Sequence, residues 1–435
     1  MAGRLAPLSN PIHVTFDGVE IPAAPGEPLA VSLVGAGHLA LARSPKFHRP
    51  RGPSCLRGAC DGCLARVDGA PNVMTCMVGA CDKMEIKSQN TLGTREVDLL
   101  QMTDWFFPEG INHHELFAGV FGLDKIMMAF ARRVAGLGKL PSEVAPARPA
   151  RRRSADVVVV GSGPSGMLVA TELAARGRTV EVLDDAVRPG GSTHAFLGID
   201  GWRAIRERFE AACSSPKPKN GSARHETATH VRLRYATTAA GIFKDDLLVV
   251  GPEGAEIVDA RAVILAPGAH DGVLAFEGND LPGVMSARAA LGFLAHGVTV
   301  GYRVAVVVTE GGGPFGEIYA RAMKAMAPND VSVTVVHGEP EAAIGVAGVK
   351  EVTLRKGEST KSLRADALLV DAPRSPAYEL VAQAGADLEH RAYGFVPRTN
   401  GGHIRDRFWV IGEAAGTALE EAALREEAMN VAARI

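Results

Sequence analysis

The chain has 435 residues, 46% of them hydrophobic, with a formal net charge of −2, which leaves room for roughly two to four domains with large cores. The near-neutral balance argues against nucleic acid as the main partner. No run of eighteen apolar residues occurs, so no transmembrane helix is expected, and the opening MAGRLAPLSNPIHVTF lacks the apolar stretch of a secretory signal, so a cytoplasmic location is expected.

The first elements read as a small β domain. His13–Phe16 and Glu20–Pro22 flank Asp17-Gly18, a strong hairpin signal. Pro28–Ala36 suits a short helix, with Gly37 near its end. Six cysteines occur, five of them between Cys55 and Cys81; in a chain with no secretory signal such clustering points to a metal site rather than a disulfide framework. Cys55, Cys60, Cys63 and Cys76 stand in C-x4-C-x2-C-x12-C spacing. Three thiolates from one loop and a fourth from a following strand can close around a [2Fe–2S] cluster. Gly58 and Gly62 let the loop wrap tightly and aim backbone N–H groups at the sulfurs, which tunes a reduction potential. Structural zinc and no metal are the alternatives, but structural zinc usually takes two C-x2-C knuckles, and only one C-x2-C pair exists here. Cys81 is a spare, either a buried small hydrophobe or a replacement ligand for Cys76; Cys213 is isolated.

The run HRPRGPSCLRGACDGCLARVDGAPNVMTC resembles the ferredoxin-like domain of hydrogen cyanide synthase and related multisubunit amino-acid dehydrogenases. It is also similar to the N-terminal region of the α subunit of heterotetrameric sarcosine oxidase, although the sarcosine enzymes typically lack these cysteines. The resemblance implies a β-grasp fold for residues 1–89.

Residues 90–153 read as a bridge. Trp105, Phe106 and Phe107 stand together, and Ile126, Met127, Phe130 and Val134 follow helical spacing over about 124–135. The bridge is either a linker packed on the next domain or a docking surface for a partner. APARPARRRS, Ala145–Ser154, marks the domain boundary, its charge run read as a solvated lead-in in preference to an anion site.

Asp156–Ser192 carries the strongest signal in the chain. Val157–Val160 is a β-branched run suited to a strand buried on both faces. Gly161, Gly163, Pro164, Ser165 and Gly166 then form a G-x-G-x-x-G turn opening a helix that ends near Gly177. The first glycine allows the tight turn, the second lets a pyrophosphate approach, and the third lets helix pack on strand. A second strand ends at Leu183, where Asp184 and Asp185 stand in the position that meets adenosine ribose hydroxyls. Arg188-Pro189-Gly190-Gly191-Ser192 follows. This region resembles the flavoprotein disulfide-reductase superfamily, which implies that Gly190, Gly191 and Ser192 pass close to the bound dinucleotide. A helix is expected near Gly201–Cys213, a surface loop over Ser214–Ser222, and three short strands between Ala239 and Val258.

Val263–Leu265 is a further strand, leading into Ala266-Pro267-Gly268. The superfamily usually has Ala-Thr-Gly here, which implies a cofactor contact by Ala266 and Gly268. FEGNDLPGVM, Phe276–Met285, is closely similar to the sarcosine oxidase α and cyanide synthase group and is the most family-specific segment. Val304–Val308 begins a second nucleotide-type unit, in which Gly311, Gly313 and Gly316 repeat the spacing before a strand at Val331–Val336. That strand ends at His337 without a clear acid or an arginine cluster, so the unit either holds a nicotinamide nucleotide, with NADP disfavoured, or is empty. Phe408–Ile411 returns to the first domain, followed by Gly412 and Glu413. In flavoproteins the acid here is usually Asp and binds the FAD ribityl chain; in the sarcosine oxidase α group it is often lost and the pocket can hold NAD.

The fold class expected is α/β: a ferredoxin-like domain (1–89), the bridge (90–153), and two Rossmann-like FAD/NAD(P)-binding domains (154–300 with 393–435, and 301–392). No catalytic residue is assigned, because no nucleophile–base signature appears and each histidine stands alone. The resemblance covers nearly the whole chain. It implies an α-like electron-transfer subunit of a heteromeric amine or imino-acid dehydrogenase or oxidase, with a [2Fe–2S] cluster, FAD or NAD at the first turn, and FMN at the boundary with a β-like flavoprotein partner; further small subunits can join. The alternatives are a self-contained NAD(P)H-dependent ferredoxin-type reductase and a scaffold subunit with a structural nucleotide.

Overall fold

The structure, a computed structural model, describes residues 2–44, 48–89, 91, 97–99, 122–123, 125–126, 149–196, 200–214, 231–327 and 331–435. Trp105–Phe107, most of the expected helix at 124–135 and all of the expected loop at 214–222 except Ser214 lie outside the described residues. Among the described residues, no helix is long and apolar enough to cross a membrane.

In chain order, β1 (Ile12–Phe16) and β2 (Val19–Ala23) form the expected hairpin. Asp17 and Gly18 both have positive φ, as a two-residue primed turn requires. Helix α1 (Leu29–Gly35) buries every residue from Leu29 to Val34. Strands β3 (Leu64–Val67), β4 (Ala70–Met74) and β5 (Glu85–Lys87) complete a five-stranded sheet of order β2-β1-β5-β3-β4, with β1 and β5 parallel.

Next come β6 (Arg151–Val160), α2 (Pro164–Ala175), β7 (Val180–Leu183), α3 (Asp200–Cys213) and β8 (Val231–Arg234). Strands β9 (Thr238–Phe243), β10 (Asp246–Gly251) and β11 (Gly254–Leu265) follow as an antiparallel meander. The separate strands expected before Val258 and at Val263–Leu265 are one strand. The first half of β11, Gly254–Val258, pairs with β10, and Glu256–Leu265 pairs with β6, so the two pairings overlap and one strand runs through.

Strand β12 (Val284–Ser286) leads into α4 (Ala287–Leu294). Then come β13 (Arg303–Val308), α5 (Phe315–Met326), β14 (Ser332–His337) and β15 (Ala367–Asp371). Strand β16 (Phe408–Val410) and α6 (Glu421–Ala432) close the chain.

Two compact units result. One comprises residues 1–145, 273–310 and 319–371; the other comprises 146–272, 311–318 and 372–435. The first unit holds the N-terminal sheet and a four-stranded parallel sheet of order β12-β15-β13-β14. The second holds a larger sheet, β8-β7-β6-β11-β10-β9, with β16 parallel to β11. Parallel strands covered on both faces need continuous apolar runs, and Val157, Val158 and Val159 are fully buried. Each contributes roughly 1.5–3 kcal/mol relative to exposure.

The arginine run before this sheet is not wholly a solvated lead-in. Arg151–Arg153 opens β6. Arg153 pairs with Glu181 and Glu256, and Arg234 pairs with the same two carboxylates. Burial pushes the Glu256 carboxyl up, but hydrogen bonds from Arg234 and Arg153 outweigh it and hold the group below its ordinary value.

Candidate functional site

Cys55, Cys60, Cys63 and Cys76 converge in the first unit. All four are free thiols. The Cys55 and Cys60 sulfurs are 3.3 Å apart. Hydrogen bonds from Cys60 and Cys76 hold the Cys55 thiol far below its ordinary value, to about 2, against the opposing effect of burial. Cys76 lowers Cys63 in the same way. The donors, Cys60 and Cys76, are pushed up in turn by the sulfurs that accept from them. Cys60 thus donates to Cys55, and Cys76 faces both Cys55 and Cys63, so the four sulfurs form one connected group. A cluster with two irons and four thiolates needs such a donor set.

Backbone amides already face these sulfurs: Gly58 N donates to Cys76 Sγ and Ala59 N to Cys55 Sγ, each at 3.3 Å. Gly58 has φ +71°, and a Cβ on Gly62 would lie 1.9 Å from the Gly52 carbonyl oxygen. Only glycine fits there. Cys81 is exposed.

In the second unit, the C-terminal ends of β6, β7, β11 and β16 lie in register beside one another, where α/β sheets bind ligands. Gly161 has φ +100°, and a Cβ there would come 2.4 Å from the Ala266 carbonyl oxygen. A Cβ on Gly166 would lie 1.9 Å from the Gly161 carbonyl oxygen. Gly163 differs: a Cβ on it meets nothing within 4 Å. Pro164 is the first residue of α2, which has no side-chain cap, so no capping side chain takes up the first-turn amides. The turn thus offers space and N–H donors where a pyrophosphate would sit.

Asp184 is buried at the tip of β7. Its Oδ2 accepts from Ser162 N at 2.7 Å and from the Ser162 hydroxyl, and its Oδ1 accepts from Ala186 N at 2.9 Å. A carboxylate accepts about four hydrogen bonds, so capacity remains for one ribose hydroxyl. Asp185 is exposed. Gly190 has φ +121° and Gly191 φ +48°; a Cβ on Gly191 would lie 3.0 Å from Gly163 Cα, which seats the pair on the turn. Ser192 is half-buried and Gly268 has φ +77°.

Glu413 pairs with Arg374, which also lies over the Phe315 ring at 4.6 Å. Phe315 continues into Phe196, which stacks on Trp202. Gly412 N donates to Glu427 Oε2 at 2.7 Å, and Thr417 donates to the other oxygen at 2.8 Å. Burial raises the Glu427 carboxyl above its ordinary value despite these donors. Ser162, Arg374 and Glu427 carry no sequence signal of their own; each matters through a partner brought near by the fold.

The second glycine turn is built differently. Strand β13 lies in the first unit, whereas Gly311–Ile318 lies in the second. Gly311 has φ +72°, and a Cβ there would meet the Tyr393 hydroxyl at 2.7 Å and Pro373 at 3.2 Å. Gly313 is half-buried; Gly316 and Phe315 are buried.

Comparison with known proteins agrees with both regions. Residues 9–91 match the family of 2Fe-2S iron-sulfur cluster binding domains, and residues 155–347 match the pyridine nucleotide-disulphide oxidoreductase family. The alpha subunit of sarcosine oxidase from Rhizobium meliloti (strain 1021) is 26% identical over 418 residues, covering 86% of this chain and 41% of that protein. An opine oxidase subunit from Agrobacterium tumefaciens (strain Ach5) is 27% identical over 330 residues, 62% of this chain and 63% of that one. The chain thus spans about two fifths of the length of the sarcosine oxidase protein. Among solved structures, L-proline dehydrogenase from P. horikoshii superposes with a TM-score of 0.72 at 20% identity, over 99% of this chain and 74% of that one; the likeness is one of fold. The chain combines a [2Fe–2S] domain with an FAD/NAD(P)-type domain and is homologous to sarcosine oxidase α subunits.

Proposed function

We infer from this homology that the chain is the electron-transfer α-like subunit of a heteromeric, flavin-dependent amine or imino-acid dehydrogenase or oxidase. The substrate class is sarcosine, proline or a related compound, oxidised at C–N by a β-like flavoprotein partner. The observation that carries the reading is the convergence of Cys55, Cys60, Cys63 and Cys76 in a chain that also presents an open glycine turn at Gly163.

In this reading the four thiolates hold a [2Fe–2S] cluster, with Gly58 and Ala59 amides donating to its sulfur ligands. The turn at Gly161, Gly163 and Gly166 receives a pyrophosphate, and the amides at the start of α2 bind its oxygens. Asp184 locks that turn through Ser162 and offers its remaining lone pair to a ribose hydroxyl. A flavin supplies two-electron chemistry when bound, and an iron–sulfur cluster passes electrons singly. FAD is the dinucleotide favoured at the first turn, because a carboxylate, Glu413, stands at the ribityl position. One observation favours NAD at the same site: that carboxylate is engaged by Arg374. An FMN at the boundary with the partner completes the path.

The experiment assays the chain alone and with its co-purifying partner on sarcosine, proline and hydroxyproline. No amine oxidation by the chain alone, and turnover with the partner, is expected. Turnover by the chain alone overturns the reading. Cys60→Ser should abolish the visible absorption of the cluster while Cys213→Ser keeps it; zinc without acid-labile sulfide in the parent protein would remove the cluster from the account.

A further inference from the structure

We propose that Arg288 is a positioning residue for the iron–sulfur loop, and that its charge raises the cluster's reduction potential. The proposal rests on the assignment of Cys55, Cys60, Cys63 and Cys76 as ligands.

Three successive residues of the cysteine loop are held by α4 and the residue before it. The Ser54 carbonyl accepts from Ser286 N at 3.0 Å. The Cys55 carbonyl accepts from Arg288 Nη2 at 2.9 Å. Leu56 lies so close to Gly292 that a Cβ there would come 2.8 Å from Leu56 Cδ2. Leu56 is held at φ +49°, a region that a leucine rarely adopts and that persists only when its surroundings enforce it. The loop is thus clamped from a helix more than two hundred residues away in sequence.

Helix stability does not explain Arg288. Ser286 already caps α4, its Oγ accepting from Ala289 N at 3.0 Å. The first turn contains no acid, and a cation there opposes the helix dipole. Its guanidinium donates to the carbonyl of a ligand cysteine. Reduction adds one electron to the cluster and makes no bond, so one negative charge appears beside this cation and beside the positive end of α4. Both favour the reduced form.

The test is a redox titration of the full chain, followed by visible absorption and electron paramagnetic resonance, on the parent, Arg288→Gln, Arg288→Lys and Arg288→His. Iron and sulfide are counted first: a parent without a [2Fe–2S] cluster refutes the ligand assignment, independently of Arg288. With the cluster present, Arg288→Gln should change the oxidised-to-reduced ratio at the parent midpoint about tenfold toward oxidised, equal to ~59 mV for one electron. Arg288→Lys should restore most of that shift. Arg288→His carries a switchable charge: its potential should fall as pH rises through the ordinary histidine range, about 6.5, relative to the parent. Equal potentials in the parent and the glutamine variant, each with a full cluster, overturn the proposal. If the glutamine variant cannot hold a cluster, a histidine variant that tracks the parent at every pH overturns it equally.

Discussion

Two turns in this chain share the G-x-G-x-x-G spacing and meet different surroundings. At Gly163 a side chain would enter open space. At Gly311 it would meet Tyr393 and Pro373. The residue before the third glycine is Ser165 in one and Phe315 in the other. Ser165 is small and tucks under Gly412, where a Cβ would come 2.2 Å from its hydroxyl. Phe315 is buried against Phe196 and beneath Arg374. The first strand after the open turn ends in an acid that braces the turn through Ser162, and the corresponding strand after the second ends at His337, which is exposed. The spacing sets the backbone path, and the residues across from it decide whether a phosphate has room.

The largest effect that sharpens this contrast is at the second glycine of the open turn. Gly163→Val should fold, because its backbone has φ −69° and nothing stands in the way of a side chain. Its dinucleotide content should fall at least tenfold, since the side chain takes the pyrophosphate's space. Extraction and quantification of bound nucleotide checks this; full occupancy would break the contrast. An intermediate effect is expected at the filled turn. Gly311→Ala forces a left-handed residue toward the Tyr393 hydroxyl and should cost about 1–2 kcal/mol, read by denaturant unfolding, with nucleotide content unchanged. A loss of nucleotide there would show that the second turn also binds. The smallest effect concerns Glu427, which bonds Gly412 N. Its folded value is raised by burial, so its contribution to stability is greatest at low pH. It declines as pH rises from the ordinary carboxylate value through the higher folded one. Glu427→Gln should flatten that part of the stability–pH curve, and an unchanged slope would contradict the assignment.

Much of this was legible locally. Asp17-Gly18 announces its hairpin because a two-residue turn with positive φ selects those residue types. The cysteine spacing and the Val157–Asp184 unit are likewise short-range patterns whose chemistry follows from their residue types. What was not legible is long-range. Arg288 reaches the Cys55 carbonyl, Arg374 engages Glu413, and Tyr393 stands across from Gly311. None of these pairs has a periodicity or spacing to betray it, because each depends on how separate segments come together. The same holds for Arg153, which reads as part of a solvated charge run until neighbouring strands bring Glu181 and Glu256 beside it.

The proposed function requires one dinucleotide and one [2Fe–2S] cluster in each chain. Mass spectrometry of the released nucleotide, with iron and acid-labile sulfide counted on the same purified sample, tests it most directly. About one FAD or NAD, two irons and two sulfides per chain are expected. Two dinucleotides per chain, or zinc in place of iron and sulfide, would contradict it.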